Sequence, residues 1–555
     1  MMTLMENTAG TAQHAVLDIE ALTVTVSGDG RRNRVVDGVD LTVHRGEIFA
    51  LLGESGSGKS MTARAIMGLL DRGDVEAARL SLNGADLLTL TAEQHRRLRG
   101  AQVSLVMQDA LSALNPVLSI GDQIADLLRA HRRVSRQAAR ERAIELLSLV
   151  GIPDPELRVR HYPHQFSGGQ RQRILIAMAI ALEPDLIIAD EPTTALDVTV
   201  QAQILDLLLS LRDRLGVGIL LITHDLGVVM EVADSVAVMR SGCIVEAGSA
   251  DVVLTAPEHP YTVQLLNSMP HDVSAPAEVD DSTPILEGRA LERTFRAGGG
   301  RRAHRVHAVA GVDVQLRSGE ILAIVGESGS GKSTLARMLV GLDSPDAGSL
   351  RFRDDDVTRG RLRDRVVLRQ GVQMVFQDPY MSLNPRMTVQ QIIAEPLAAT
   401  RTGTPSSRRE RVAELLELVG LTPEMASRFP HQFSGGQRQR IGIARALALH
   451  PDVLVCDEPV SALDVSIRAQ IIDLLCDLRA QLGMSIVFIA HDLSLVRHIA
   501  DRVAVMYRGN MVEVGETERV YRDPEHPYTR SLLSAIPPQS RAERGMLQRR
   551  TRLTA

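Results

Sequence analysis

Gly53-Glu54-Ser55-Gly56-Ser57-Gly58-Lys59-Ser60 and Gly326-Glu327-Ser328-Gly329-Ser330-Gly331-Lys332-Ser333 are the two stretches that decide the fold of this chain. In a Gly-x-x-x-x-Gly-Lys-Ser loop, the glycines let successive main-chain N–H groups converge on an anion at the N-terminus of a helix. Lys59 and Lys332 are the only lysines among the 62 lysine and arginine residues. Because a compact ammonium fits between two phosphates and a planar guanidinium does not, both loops are predicted to bind phosphate.

The rest of the chain is duplicated around these loops. Lys332 follows Lys59 by 273 residues, whereas three later pairs are each 267 residues apart: Ser167 and Ser434, Asp190 and Asp457, and His224 and His491. A repeat of that length predicts two domains. We therefore expect a first domain over residues 1–270, an acidic, proline-bearing linker over 271–284, a second domain over 285–540 and a flexible basic tail over 541–555.

Composition narrows the class of protein. The 555 residues are 44% hydrophobic and 23% charged, which is typical of a soluble globular protein. The net charge of −6 argues against a nucleic-acid-binding protein, because such proteins are usually basic. The longest apolar runs are about half of what a membrane span needs, and no secretory signal is evident, so we expect a cytoplasmic chain. Cys243, Cys456 and Cys476 lack C-x-x-C spacing and predict neither a zinc site nor a disulfide framework.

Short apolar runs before the loops predict an α/β fold in each half. Ile48 to Leu52 and Ile321 to Val325 each end at a glycine, as buried strands that feed a loop and a helix do. Leu186 to Ala189 and Val453 to Cys456 repeat the pattern before an Asp-Glu pair. Between these strands lies a helical-looking insertion, for example Arg129 to Leu149, whose arginines are most often a solvated face.

Each half carries an Asp-Glu pair at the end of an apolar strand. Asp190 and Asp457 are therefore predicted at the carboxyl edge of a parallel sheet, beside the phosphate loop, where they support Mg²⁺ together with the hydroxyls of Ser60 and Ser333. The adjacent Glu191 and Glu458 are predicted to face the γ-phosphate and to polarise the attacking water. Lys59 and Lys332 are expected to contact the β- and γ-phosphates.

Two further segments resemble a known family. Phe166-Ser167-Gly168-Gly169-Gln170 and Phe433-Ser434-Gly435-Gly436-Gln437 resemble the signature of ATP-binding-cassette ATPases, a highly specific pattern. Gln108 and Gln377 resemble the Q-loop glutamines of that family, which serve both Mg²⁺ and catalysis. Ala195-Leu196-Asp197 and Ser461-Ala462-Leu463-Asp464 resemble its D-loops, and His224 and His491 resemble its switch histidine.

The resemblance implies two P-loop NTPase domains in tandem, each with a mainly parallel sheet and a helical signature subdomain. It also implies that the halves pair within the chain over two ATP molecules, each held by the loop of one half and the Ser-Gly-Gly-Gln of the other. One site would combine Lys59, Ser60, Gln108, Asp190, Glu191 and His224 with Ser434 and Gly436. The other would combine Lys332, Ser333, Gln377, Asp457, Glu458 and His491 with Ser167 and Gly169. We expect both to hydrolyse ATP.

One position differs between the halves. Phe295 stands where the family usually places an aromatic ring that stacks on adenine, and Val26 stands there in the first half. Base stacking is therefore expected at the second site, and phosphate binding without an aromatic ring at this position is expected at the first.

Other segments resemble one branch of the family. Ser112-Ala113-Leu114-Asn115-Pro116, Ser382-Leu383-Asn384-Pro385 and the Pro-Glu-His-Pro-Tyr-Thr at 257–262 and 524–529 resemble the oligopeptide and dipeptide importers. That branch implies a peripheral ATPase on the cytoplasmic face of the cell membrane, with two permease subunits and an extracytoplasmic substrate-binding protein as partners, and no nucleic acid. Three dispersed cysteines cannot supply the iron–sulfur cluster that some members carry.

Alternatives remain open on the sequence alone. A non-transport twin-cassette ATPase that acts on ribosomes or nucleic acid is disfavoured by the short, acidic linker. A GTPase is excluded because its Asn-Lys-x-Asp motif needs a lysine outside the two loops. Peptides are the preferred cargo, with nickel, glutathione or oligosaccharides as alternatives.

Overall fold

The structure is a computed structural model, and it describes residues 14–28, 31–70, 73–194, 196–267, 283–297, 304–358, 362–461, 463 and 465–536. Within these ranges the chain forms two compact units, the first including residues 14–196 and 200–266 and the second including residues 267–536. The predicted linker, apart from residues 283 and 284, and the predicted basic tail lie outside the described residues.

Eleven strands and eleven helices build the described part of the first unit. Its strands are β1 (Ala15–Gly28), β2 (Arg31–His44), β3 (Ile48–Leu52), β4 (Gly73–Glu76), β5 (Arg79–Leu82), β6 (Ala85–Asp86), β7 (Val103–Val106), β8 (Leu186–Asp190), β9 (Gly218–Thr223), β10 (Ser235–Arg240) and β11 (Cys243–Ser249). Its helices are α1 (Lys59–Ile66), α2 (Ala92–Leu98), α3 (Ala110–Ala113), α4 (Ile120–His131), α5 (Arg136–Leu149), α6 (Pro155–Arg158), α7 (Gly168–Ala179), α8 (Val198–Leu215), α9 (Leu226–Val232), α10 (Ala250–Thr255) and α11 (Pro260–Asn267).

The second unit repeats most of this order. Its strands are β12 (Leu286–Ala297), β13 (His304–Leu316), β14 (Ile321–Val325), β15 (Ala347–Phe352), β16 (Asp355–Asp356), β17 (Val372–Val375), β18 (Val453–Asp457), β19 (Ser485–Ala490), β20 (Arg502–Tyr507) and β21 (Asn510–Glu516). Its helices are α12 (Lys332–Leu339), α13 (Leu362–Gly371), α14 (Pro379–Ser382), α15 (Val389–Ala399), α16 (Pro405–Leu418), α17 (Gly435–Ala446), α18 (Val465–Leu482), α19 (Leu493–Ile499), α20 (Thr517–Arg522) and α21 (Pro527–Ser534).

A six-stranded sheet forms the centre of each unit, in the order β11-β10-β3-β9-β8-β7 in the first and β21-β20-β14-β19-β18-β17 in the second. Five strands are parallel, and the edge strand β11 or β21 is antiparallel to its neighbour. The predicted mainly parallel core is therefore confirmed. The structure adds an antiparallel sheet to each unit, β2-β1-β5-β6 with β4 on β1, and β13-β12-β15-β16, which the sequence did not predict.

Both faces of the parallel sheet are covered. In β8, Ile187 and Ala189 pack into one hydrophobic cluster with the helical layer, while Leu186 and Ile188 pack into a second cluster with the antiparallel sheet. Burial on both faces explains why these strands are continuous apolar runs instead of alternating ones.

The arginine-rich insertion is helical but interrupted. The predicted helical stretch Arg129 to Leu149 consists of the end of α4 and all of α5, because Ser135 caps a new helix by accepting the N–H of Ala138 at 3.1 Å. No described helix combines the length and the apolar character that crossing a bilayer takes.

Candidate nucleotide-binding and catalytic sites

The phosphate loop of the first unit joins β3 to α1, as the sequence predicted. Lys59 begins α1 and is buried, and its Nζ donates to the carbonyl oxygens of Gly53 and Glu54, both at 2.7 Å. Gly58 has a φ of 110°, and an added Cβ would lie 2.6 Å from the carbonyl oxygen of Val35, so only glycine fits at this turn. A Cβ on Gly56 would meet nothing within 4 Å, so only its φ of 78° favours glycine there.

The second loop repeats this geometry between β14 and α12. Lys332 Nζ donates to the carbonyl oxygens of Gly326 at 2.7 Å and Glu327 at 2.9 Å. Ser330 Oγ is buried and has no hydrogen-bond partner among the described residues. A buried ammonium and an unpartnered buried hydroxyl in a loop at a helix N-terminus fit a polyphosphate.

Burial changes the chemistry of the second lysine. Desolvation lowers the pKa of Lys332, although the carboxylates of Glu458 and Asp457 oppose the shift. Since burial penalises an isolated positive charge, the negative charge of a bound phosphate would stabilise this ammonium.

A hydroxyl and a carboxylate lie together beside each loop. Ser60 Oγ donates to Asp190 Oδ1 at 3.0 Å, and Ser333 Oγ donates to Asp457 Oδ1 at 3.1 Å. Burial raises the pKa of both aspartates, partly offset by these hydrogen bonds. Hard oxygen ligands of this kind suit Mg²⁺, which is usually held by one or two carboxylates together with substrate phosphates.

The predicted catalytic side chains of the first unit meet around Glu191. Gln108 Nε2 donates to Glu191 Oε2 at 2.7 Å, and His224 Nδ1 lies 3.0 Å from Glu191 Oε1. Burial alone would raise the pKa of Glu191, but the hydrogen bond and charge of His224, with Thr194 and Lys59, outweigh burial and hold that pKa below its ordinary value. A carboxylate that stays ionised can accept a proton from water.

The same cluster forms around Glu458. Gln377 Nε2 donates to Glu458 Oε2 at 2.7 Å, and His491 Nδ1 lies 3.3 Å from the same oxygen. Burial opposes ionisation here too, yet His491 and Lys332 keep the pKa of Glu458 low, and Glu458 in turn raises the pKa of His491. Glu191 and Glu458 have φ values of 48° and 46°, uncommon for a non-glycine residue and frequent at functional sites.

The signature residues lie on a different part of each unit. Ser167 and Ser434 cap α7 and α17, each forming a capping box with Gln170 or Gln437. No hydrogen bond is recorded from either serine to the phosphate loop of its own unit within the described residues. Added Cβ atoms on Gly169 and Gly436 would lie 2.2 Å from Val200 Cγ1 and 2.4 Å from Ile467 Cγ2, so both positions require glycine, whereas Gly168 and Gly435 have room.

The remaining predicted positions are the adenine-stacking residue and the D-loops. Phe295 lies in β12 with 42% of its surface exposed, and the guanidinium of Arg293 lies 5.2 Å from its ring centroid. Val26, its counterpart, lies in β1. Of the predicted D-loops, Ala195, Ala462 and Asp464 lie outside the described residues.

Sequence reasoning missed two kinds of contact at these sites. Thr194 Oγ1 donates to Glu191 Oε2 at 2.9 Å, a contact that its position three residues after Glu191 could have suggested. Tyr528 Oη contacts the second phosphate loop, a contact between residues 201 positions apart for which the sequence carries no local signal.

Comparisons with known proteins identify the family of both halves. The family profile described as "ABC transporter" matches residues 36–194 and 309–461. A second profile, "Oligopeptide/dipeptide transporter, C-terminal region", matches residues 245–290 and 512–554, which include both Pro-Glu-His-Pro-Tyr-Thr segments.

Curated relatives match nearly the full chain. The oligopeptide transport ATP-binding protein OppD of Mycobacterium tuberculosis is 44% identical over an alignment that covers 96% of this chain and 100% of the relative. The glutathione import ATP-binding protein GsiA of Salmonella choleraesuis is 44% identical, covering 94% of this chain and 89% of the relative. A solved ATP-binding cassette in a post-hydrolysis state with ADP and Pi is 28% identical, covering 42% of this chain and 98% of that one, with a TM-score of 0.38. The chain therefore belongs to the ABC transporter family, as a twin-cassette ATPase subunit of its oligopeptide/dipeptide branch.

Proposed function

We propose that this chain energises the import of peptides by hydrolysing ATP at sites built on Lys59 and Lys332. The observation that carries the proposal is the convergence, in each unit, of a buried loop lysine, a Ser-Asp pair and a Glu hydrogen-bonded to Gln and close to His. These are the groups that phosphoryl transfer to water requires: anion binding, a metal-ligand position and an oriented base.

Each side chain has a separate role in this proposal. The two lysines and the loop N–H groups bind the β- and γ-phosphates, and Ser60 with Asp190, and Ser333 with Asp457, hold Mg²⁺, assisted by Gln108 and Gln377. The metal neutralises developing charge when it is bound. Glu191 and Glu458 accept a proton from the attacking water, and His224 and His491 orient those carboxylates.

We also propose that each ATP is completed by the signature of the other half. Within the described residues Ser167 and Ser434 are engaged in capping α7 and α17 and form no recorded hydrogen bond to the loop of their own unit. The duplicated chain supplies the second loop and the second signature that this arrangement needs.

The proposed partners follow from the family and from exposed apolar side chains. OppD and GsiA are named for oligopeptide and glutathione import, so a peptide is the proposed cargo. Leu111 and Val117 in the first unit, and Tyr380 and Met381 in the second, are exposed just after the Q-loop glutamines. Exposed apolar clusters of this kind suit contacts with two permease subunits at the cytoplasmic face of the membrane, with a substrate-binding protein on the far side.

The test is isolation of the chain from gently solubilised membranes, with bound partners identified by mass spectrometry. Two polytopic membrane proteins, with a substrate-binding protein encoded beside them, are expected. A variant in which Leu111 and Tyr380 are replaced by Asp tests the proposed contact surface. It should lose the membrane partners while keeping ATP binding. Ribosomal proteins or nucleic acid without a membrane partner would instead support the twin-cassette remodelling ATPase.

A further inference from the structure

The C-terminal helix of the second unit contacts the phosphate loop of that unit. Tyr528, the second residue of α21, accepts a hydrogen bond through Oη from the main-chain N–H of Glu327 at 3.0 Å. Its ring stacks on Tyr507 with centroids 4.1 Å apart. Burial and the nearby charge of Glu327 raise the pKa of Tyr528 to about 12, so its hydroxyl is neutral at physiological pH.

The contact fixes a part of the loop that also holds the phosphate-binding lysine. Glu327 donates its N–H to Tyr528, and its carbonyl oxygen accepts from Lys332 Nζ at 2.9 Å. The same loop residue is therefore bonded on one side to the C-terminal helix and on the other to the ammonium that faces the phosphates. Glu327 thus links Tyr528 to Lys332 through two hydrogen bonds.

Hydrogen bonds of the Pro-Glu-His-Pro-Tyr-Thr segment position this tyrosine. Glu513 in β21 accepts the main-chain N–H groups of Glu525 at 2.8 Å and His526 at 3.0 Å. His526 Nδ1 then caps the helix by accepting the N–H of Tyr528 at 3.2 Å. Thr529 is fully buried, and the main-chain bonds of Glu525 and His526 to Glu513 attach the start of α21 to the sheet.

The first unit repeats the anchoring of the C-terminal helix but not the hydrogen bond between its tyrosine and the loop. Glu246 accepts the N–H groups of Glu258 at 2.9 Å and His259 at 3.1 Å. Tyr261 is buried, but its Oη has no hydrogen-bond partner among the described residues. Burial and the charge of Glu54, the counterpart of Glu327, raise the pKa of Tyr261 to about 12. Lys59 Nζ bonds the carbonyl oxygen of Glu54 at 2.7 Å.

We propose that Tyr528 is a positioning residue that holds Glu327 in the second phosphate loop, so that the C-terminal segment of the second unit sets nucleotide affinity at its own loop. The inference rests on the proposed binding of ATP by these loops. Removing one hydroxyl deletes a single hydrogen bond and frees the loop main chain, while the lysine and the loop glycines remain. The effect falls on binding rather than on the chemical step.

The test uses the full chain with Lys59→Ala, so that ATP binding is measured at the second loop alone. Tyr528→Phe keeps the ring on Tyr507 and should weaken ATP binding about three- to tenfold, the loss of one hydrogen bond. With both loops intact, the same substitution should raise KM for ATP and leave kcat within about twofold. The matched control is Tyr521→Phe, which deletes a hydroxyl bonded to the carbonyl oxygen of Leu493 and should leave ATP affinity unchanged.

Each outcome decides one question. Unchanged ATP affinity in Tyr528→Phe, at a melting temperature close to that of the parent, overturns the inference. An equal loss of ATP affinity in Tyr521→Phe also overturns it, because the effect would then come from general destabilisation of the fold. Undiminished ATP binding in the double variant Lys59→Ala, Lys332→Ala would instead reject the loops as the nucleotide sites and with them the proposed function.

Discussion

Glu191 and Glu458 are the residues on which hydrolysis depends most directly. Replacing both by Gln keeps a side chain that can hydrogen-bond Gln108 and Gln377 but removes the base, so ATP should still bind while turnover falls roughly 10²-fold or more. The measurement is phosphate release at saturating ATP, beside equilibrium ATP binding. Glu145→Gln with Glu414→Gln, exposed glutamates at matching places in α5 and α16, is the control and should leave both quantities unchanged.

The carboxylate that anchors the C-terminal helix should make stability depend on pH. Burial alone would raise the pKa of Glu513, but Thr529 and the N–H groups of Glu525 and His526 outweigh it, so the folded pKa lies below the ordinary value. A carboxyl with a lowered folded pKa stabilises the protein above its unfolded pKa of about 4.3, and that contribution is lost as pH falls through the folded value.

Glu513→Gln should therefore lower the free energy of unfolding by about 1–3 kcal/mol at pH 7, since two main-chain donors lose their ionised acceptor. The difference from the parent should shrink as the pH falls below about 4. Urea unfolding between pH 7 and about pH 3, which spans the unfolded pKa and lower values, measures it. Glu516→Gln, whose side chain makes no capping hydrogen bond, is the control. A difference that stays constant across this range would contradict the prediction.

At the scale of elements, the Q-loop segment and the signature helix are joined differently in the two units. In the second, Arg445 in the last turn of α17 donates to the carbonyl oxygen of Ser382 at 2.6 Å, and its guanidinium lies 5.7 Å from the ring centroid of Phe376. Burial lowers the pKa of Arg445, so this contact forms in a poorly solvated place. The matching residue of the first unit is Met178, which has no donor.

Arg445→Met should accordingly destabilise the chain by about 1.5–3 kcal/mol, because it removes a charged donor from a carbonyl oxygen. Met178→Leu, at the equivalent place in the first unit, is the control and should cost less than about 1.5 kcal/mol. Urea unfolding of the two full-length variants compares them. If both variants lower the free energy of unfolding by the same small amount, the hydrogen bond from Arg445 does not stabilise the second unit.

Some elements were predictable from the sequence and others were not, for physical reasons. The strand Ile48–Leu52 matches the prediction, because a short apolar run just before a glycine-rich loop indicates a parallel strand buried on both faces. The antiparallel sheet was not predicted because β1 has a bulge near Ala21, whose φ is 52°. The alternation of apolar and polar side chains along β1 is interrupted at that bulge.

The same distinction holds for the sites. Lys59, Asp190 and Glu191 could be placed because each follows a strand end or starts a helix. The roles of Phe295 and of the signature serines remain predictions. The tyrosine contact was missed because Glu327 and Tyr528 are distant in sequence and meet only through tertiary structure.

For the whole molecule, the duplicated halves should not be interchangeable at their exposed segments. α3 carries Leu111, 60% exposed, whereas α14 carries Tyr380 and Met381, 63% and 85% exposed. If each half meets a different permease, these apolar sets specify which permease each unit binds, since exposed apolar side chains dominate such contacts.

Exchanging residues 110–113 with residues 379–382 should therefore leave ATP binding and unstimulated hydrolysis in place while transport falls. The physical reason is that neither segment supplies a phosphate or metal ligand, whereas both present side chains to solvent after Gln108 and Gln377. Uptake of a labelled peptide by cells that depend on this chain is the measurement. Exchanging residues 136–140 with 405–409, at the starts of α5 and α16, provides a control of similar size away from the Q-loop. Full transport with the first exchange would show that both halves meet their partners in the same way.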